Sequence, residues 1–145
     1  MNVLLFTFGN ESSIEIVKSL SELNKINIFG IHTDIKNAGQ AYLNKNFIIQ
    51  IDELLPTKES ISQINQIVLS KNIDCIFVTN CKLIKFIYQN YEFFDKNVID
   101  KFLLPTINNI KYCLYKKSLY QLLPDISPKI YEKFEDITDD KFFVK

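Results

Sequence analysis

Short apolar runs alternate with amphipathic segments along this chain, and that rhythm predicts strands and helices in turn. Val3-Leu4-Leu5-Phe6-Thr7-Phe8 is almost uninterrupted in its hydrophobicity, which suits a strand buried on both faces of a parallel sheet. Gly9-Asn10 breaks the run. Ser12 or Ser13 can then cap a helix whose apolar positions Ile16, Val17, Leu20 and Leu23 recur at helical spacing. Asn24-Lys25 ends that helix. Ile26 to Ile31 reads as a second strand, closed by His32-Thr33-Asp34. Strand, glycine turn, helix and strand make a βαβ unit with an expected right-handed crossover.

Ala38 to Leu43 reads as a short helix or turn, and Phe47-Ile48-Ile49 as a third strand. Pro56 and Thr57 precede a long amphipathic helix carrying Ile61, Ile64, Ile67 and Val68, which Asn72 ends. Cys75-Ile76-Phe77-Val78 is a fourth strand, terminated by Thr79-Asn80. Leu83, Ile84, Ile87 and Tyr88 share one face of the next helix. Phe102-Leu103-Leu104 is a fifth strand before Pro105. Helical pieces near Asn108 to Cys113 and Lys116 to Leu123 follow, then extended chain over Pro128 to Tyr131. The pattern predicts an α/β, three-layer fold with an open parallel sheet of about five strands, strand one central, and Asn10 and Asp34 at the same edge.

The 145 residues are enough for one domain with a real core. Apolar residues make up 47% of the chain and the formal charge balances to zero, which excludes a disordered tail and leaves no electrostatic case for nucleic acid. Apolar runs stay well short of a membrane span, and no basic leader with a cleavage site precedes the first strand. The expected compartment is therefore cytoplasmic. Cys75, Cys81 and Cys113 have no metal-ligand spacing and read as reduced thiols. All basic residues are lysine, so a bound anion would be held by lysine charges, backbone N–H groups or helix N-termini.

Ligands of open parallel sheets bind beyond the C-terminal strand ends, where the strand order reverses. By position, that nominates Gly9, Asn10 and Glu11, Asp34, Thr79 and Asn80, with Pro105 and Thr106 beyond the fifth strand. Each has a structural alternative. Gly9 can serve the turn's backbone angles, Asp34 can cap a turn, and Thr79-Asn80 can cap a helix. Gly9 is not followed by the further glycines of a dinucleotide-binding turn, which argues against a dehydrogenase or epimerase cofactor domain. His32 is the only histidine and has no nucleophile at a telling spacing, so it receives no catalytic role. The cluster Tyr88, Tyr91, Phe93 and Phe94 reads as core or interface rather than as a base-stacking platform.

An ordered series of segments resembles one known family. Phe29-Gly30-Ile31-His32-Thr33-Asp34, Ala38 to Leu43 and Lys45-Asn46-Phe47-Ile48-Ile49-Gln50 are similar to a strand ending in Asp, an alanine-containing turn and a short DKFYVVP-like strand. Ile73 to Asn80 is similar to an IDLLIPT strand, Cys113-Leu114-Tyr115-Lys116 to CNDK, and Leu122 to Lys129 to NGIPTPK. Phe142-Phe143-Val144-Lys145 is similar to PLVVK. Together they resemble the N-terminal, pre-ATP-grasp domain of ATP-grasp ligases similar to the carbamoyl-phosphate synthase large subunit. Tyr115 stands where the family has Asp, and Gly9-Asn10-Glu11-Ser12 where it has a GRR-like turn.

The resemblance implies a Rossmann-like domain over 1–112, then a linker helix and the beginning of an ATP-grasp domain over 113–145. It implies nucleotide contacts from Lys116 and Lys145, with substrate contacts from the strand-end residues. ATP and Mg2+ would serve the full-length protein, and neither is expected to bind this segment alone. The implied partners are a small-molecule carboxylate and a downstream ATP-grasp domain. Neither a nucleic acid nor a membrane is expected, and a homodimer is compatible with the pattern. The closing run Phe142-Phe143-Val144 begins a strand with nothing after it to pair with, so the chain is expected to be the front part of a longer protein, inactive alone. The alternative is a stand-alone Rossmann-like nucleotide-binding or interaction module.

Overall fold

A computed structural model describes residues 1–34, 36–43, 47–51, 57–127 and 135. The chain divides into two compact units, Met1–Ile110 and Lys111–Lys145. The first contains a parallel sheet built from β1 (Asn2–Phe6), β2 (Asn27–His32), β3 (Ile48–Gln50) and β4 (Cys75–Val78) in the order β3-β2-β1-β4. The central β1 is the most hydrophobic segment. Val3, Leu4, Leu5 and Phe6 are wholly removed from solvent.

Period-two alternation along β1 divides the core between the two faces of the sheet. Val3, Leu5 and Phe8 join Val17 of α1 (Glu11–Ser21), together with Ile28 and Ile48. Leu4 and Phe6 join Ile61, Ile64 and Val68 of α2 (Lys58–Ser70), and Leu83 and Ile87 of α3 (Cys81–Asn90). The layers are therefore helix, sheet, helix. Phe94, Val98 and Phe102 extend the second cluster through edge-on ring contacts and the short α4 (Lys96–Ile99). Unbroken burial on both faces explains why β1 reads as a continuous apolar run rather than an alternating one.

The expected fifth strand is reduced to a single parallel bridge between Ile76 and Phe102. Ile76 N–H donates to Lys101 O, and Leu103 N–H donates to Ile76 O. Continuing that ladder requires an N–H from residue 105 to the carbonyl of Val78, and residue 105 is proline. Leu104 N–H turns back to Phe102 O instead. The sheet therefore has four strands among the described residues.

Two smaller expectations are also corrected. The cap of α1 is Asn10, three residues ahead of Ser13, and α1 stops at Ser21, leaving Leu23 exposed. The third strand is Ile48–Gln50, one residue later than the apolar run suggests. Cappings at Thr57 and Asn80 start α2 and α3 where the sequence places them.

The second unit holds the end of α5 (Ile107–Leu114), α6 (Lys116–Leu122) and a 3-10 turn over Pro124–Ile126. The expected extended segment Pro128 to Tyr131 and the expected strand Phe142 to Val144 lie outside the described residues. Among the described residues, no helix is long and apolar enough to cross a membrane.

Candidate functional site

Because all four strands are parallel, their C-terminal ends gather at one edge. The chain runs outward from β1 through β2 to β3, then returns to the other side of β1 with β4. The order reverses between β1 and β4, and the first helix after each of those strands opens there. This edge carries Gly9, Asn10, Glu11, Asp34, Thr79 and Asn80.

Asn10 ties the reversal point together. Its Oδ1 accepts from Ser13 N–H at 2.9 Å, capping α1. Its Nδ2 donates to Thr79 O at 3.2 Å and to Thr79 Oγ1 at 3.0 Å, with Thr7 Oγ1 at 3.5 Å. Thr79 Oγ1 in turn donates to Thr7 O at 2.6 Å, and Thr79 N–H donates to Phe6 O at 2.9 Å. The buried Ser13 closes the corner. Its Oγ accepts from Gly9 N–H at 2.9 Å and donates to Asn10 O at 2.7 Å. The β1 and β4 ends are thus fastened by an internal network that engages both ends of the Asn10 amide.

Gly9 has φ +104°, a conformation side chains rarely adopt, and a Cβ there would sit 2.6 Å from Asn37 Oδ1. Asn37 Oδ1 accepts from Gly39 N–H at 2.7 Å, and its Nδ2 donates to Asp34 O at 2.7 Å. Phe8 fills the space beneath. Its ring lies where Cβ atoms on Gly30 and Gly39 would project. All three glycines of the chain therefore serve one packing arrangement around Phe8 and Asn37.

Asp34 is exposed at the end of β2, and its Oδ1 accepts from Lys36 N–H at 2.7 Å. Asn80 Oδ1 caps α3 by accepting from Lys82 N–H at 2.8 Å. Glu11 is exposed in the first turn of α1, and Cys81 is exposed at the start of α3. Pro105 and Thr106 are exposed after the bridge at Phe102, and Thr106 O accepts the first N–H bonds of α5. Cys75 lies within β4, where burial and then the negative charge of Asp74 push its thiol pKa upward. Lys116 opens α6 in the second unit, and Lys145 lies outside the described residues.

The first-unit candidates therefore share one edge, and Gly9, Asn10 and Thr79 are joined by direct contacts or through Ser13. Thr7, Ser13 and Asn37 are equally part of the corner, although strand-end position alone does not nominate them. Thr7 has a visible signal, as the one polar residue inside the first apolar run. Asn37 has a weaker one, a capping residue before a short helix. The edge offers the N-termini of two helices, each at least ten residues long, together with a carboxylate at Asp34. Backbone N–H groups at such ends favour an anionic group. Among the described residues, no group of three or more His, Cys, Asp or Glu is placed to hold a metal ion.

Comparison of the chain with protein-family models, curated proteins and solved structures returns no match.

Proposed function

We propose that the first unit is the substrate-side lobe of an ATP-grasp ligase, a Rossmann-like pre-ATP-grasp domain that works in the cytoplasm and presents a small carboxylate from its strand-end edge. The observation that carries this reading is the reversal of strand order between β1 and β4, with two helix N-termini opening beside it. The ordered series of segments that resembles the family supports it along the rest of the chain. An edge with two helix N-termini, in a chain without arginine, would hold an anionic group through backbone N–H groups rather than through a bidentate guanidinium.

On this reading Mg2+-ATP is held by the ATP-grasp domain rather than by this lobe. In such ligases ATP supplies the phosphoryl group that activates the carboxylate. The work of this lobe is to hold that carboxylate still and dry against its neighbour.

A stand-alone Rossmann-like binding or interaction module is the second reading. Asn10 favours it, because an amide engaged at both ends by Ser13 and Thr79 is not free to bind substrate. Trapping with hydroxylamine separates the two. On the first reading, an extended chain that also carries the proposed ATP-grasp domain, given Mg2+-ATP and a panel of carboxylates, should form a hydroxamate with at least one of them. The 145-residue chain should form none. No hydroxamate from the extended chain with any carboxylate would favour the module.

A further inference from the structure

His32 closes β2 with its ring Nδ1 at 2.8 Å from the backbone nitrogen of Asp34 and 2.9 Å from the backbone oxygen of the same residue. One ring nitrogen cannot satisfy both. Without a proton it accepts from the Asp34 N–H; with one it donates to the Asp34 carbonyl. We propose that protonation of His32 switches the Asp34 corner between these two hydrogen-bonded states, making the candidate edge sensitive to pH.

The neutral state requires the tautomer with its proton on Nε2. Nδ1 then accepts the Asp34 N–H, and the Asp34 carbonyl is left to Asn37 Nδ2 at 2.7 Å. In the acid state Nδ1–H donates to that carbonyl in a charge-assisted bond, roughly twice as strong as a neutral one. The Asp34 N–H turns to solvent, which its exposure allows. The ring and Asn37 Nδ2 then draw on the two lone pairs of one carbonyl, and the charged donor weakens the bond to Asn37. Asn37 also receives Gly39 N–H and packs against Gly9. A proton on His32 therefore reaches the turn over Ala38–Ala41 and the β1–α1 corner through Asn37.

The strands flanking β2 are β1 and β3, and neither carries a titratable side chain. The turn over Ala38–Ala41 carries none and is followed by Tyr42. Asp34 and Lys36 are the charged residues on the loop itself, and Glu11 opens the neighbouring α1. Of these, only histidine ordinarily changes charge between about pH 5 and 8.

The test is a pH titration of the 15N-labelled chain, following the imidazole nitrogens and the backbone amides of Asp34 and Gly39. It concerns the loop itself, so it stands apart from any result on nucleotide or carboxylate. The Asp34 amide proton should move upfield as the pH falls, with the midpoint of the His32 ring, and Gly39 should follow. Asp34→Asn, which removes the nearby carboxylate, should keep this behaviour. His32→Asn, whose Oδ1 falls near the place of Nδ1 and accepts at every pH, should abolish it. A flat Asp34 amide while the ring titrates overturns the proposal, as does a His32 ring that does not titrate in this range. Should His32→Asn fail to fold, the wild-type and Asp34→Asn titrations decide the matter by themselves.

Discussion

Asn10 does two jobs with one amide: its oxygen caps α1 and its nitrogen holds the end of β4. Asn10→Ala removes both. A lost cap costs about 1 kcal/mol, and losing the two part-buried bonds to Thr79 adds roughly 1 kcal/mol each. Urea unfolding should therefore show a loss of about 2–3 kcal/mol. Asn10→Asp separates the two roles. Aspartate caps a helix as well as asparagine, but it sets a carboxylate against the Thr79 carbonyl. It should destabilise as well, and an unchanged midpoint for Asn10→Asp would mean that the cap is the only role. The cysteines give a second check at this scale. Cys81 is exposed, whereas the Cys75 thiol is partly buried and its pKa is raised by burial and by Asp74. A raised thiol pKa leaves less thiolate near neutrality. In a Cys113→Ser background, iodoacetamide should label Cys81 first. Labelling of Cys75 should keep accelerating above about pH 8.5, where an ordinary thiol is already half ionised.

At the scale of elements, edge pairing is where pattern and structure part. Phe102-Leu103-Leu104 has the composition of a strand, yet it makes one bridge because Pro105 removes the next donor. Pro105→Ala restores that N–H opposite Val78. The new bond adds about 1 kcal/mol, and the greater freedom of the unfolded chain removes about 0.4–1 kcal/mol. Stability should hardly change, while the amide at position 105 gains protection from hydrogen exchange. An amide there that exchanges as fast as an unstructured peptide would show that proline is not what shortens the strand. The positions of β1, β2, β4 and the long helices were legible because both-face burial and helical periodicity are local properties of the chain. Asp34, Asn10 and Thr79 were legible as edge residues because parallel strands bring their C-terminal ends together. The partnerships of Asn10 with Thr79, of Asn37 with Gly9 and of Phe8 with two glycines were not. They join residues that no sequence period relates.

On the scale of the whole molecule, the sheet order and the paired helix ends of the first unit fit the proposed role of presenting a small carboxylate. Its described residues provide an anion-favouring edge without a metal-holding cluster. On the proposed reading, nucleotide binding belongs to an ATP-grasp domain, to which Lys116 and Lys145 would contribute. The most direct test is calorimetric titration of Mg2+-ATP into two proteins, the 145-residue chain and a longer one that also carries the proposed ATP-grasp domain. The expected result is no measurable heat for the shorter protein and saturable binding for the longer, weakened by Lys116→Ala and Lys145→Ala. Saturable binding by the 145-residue chain, or none by the extended one, would contradict the assignment.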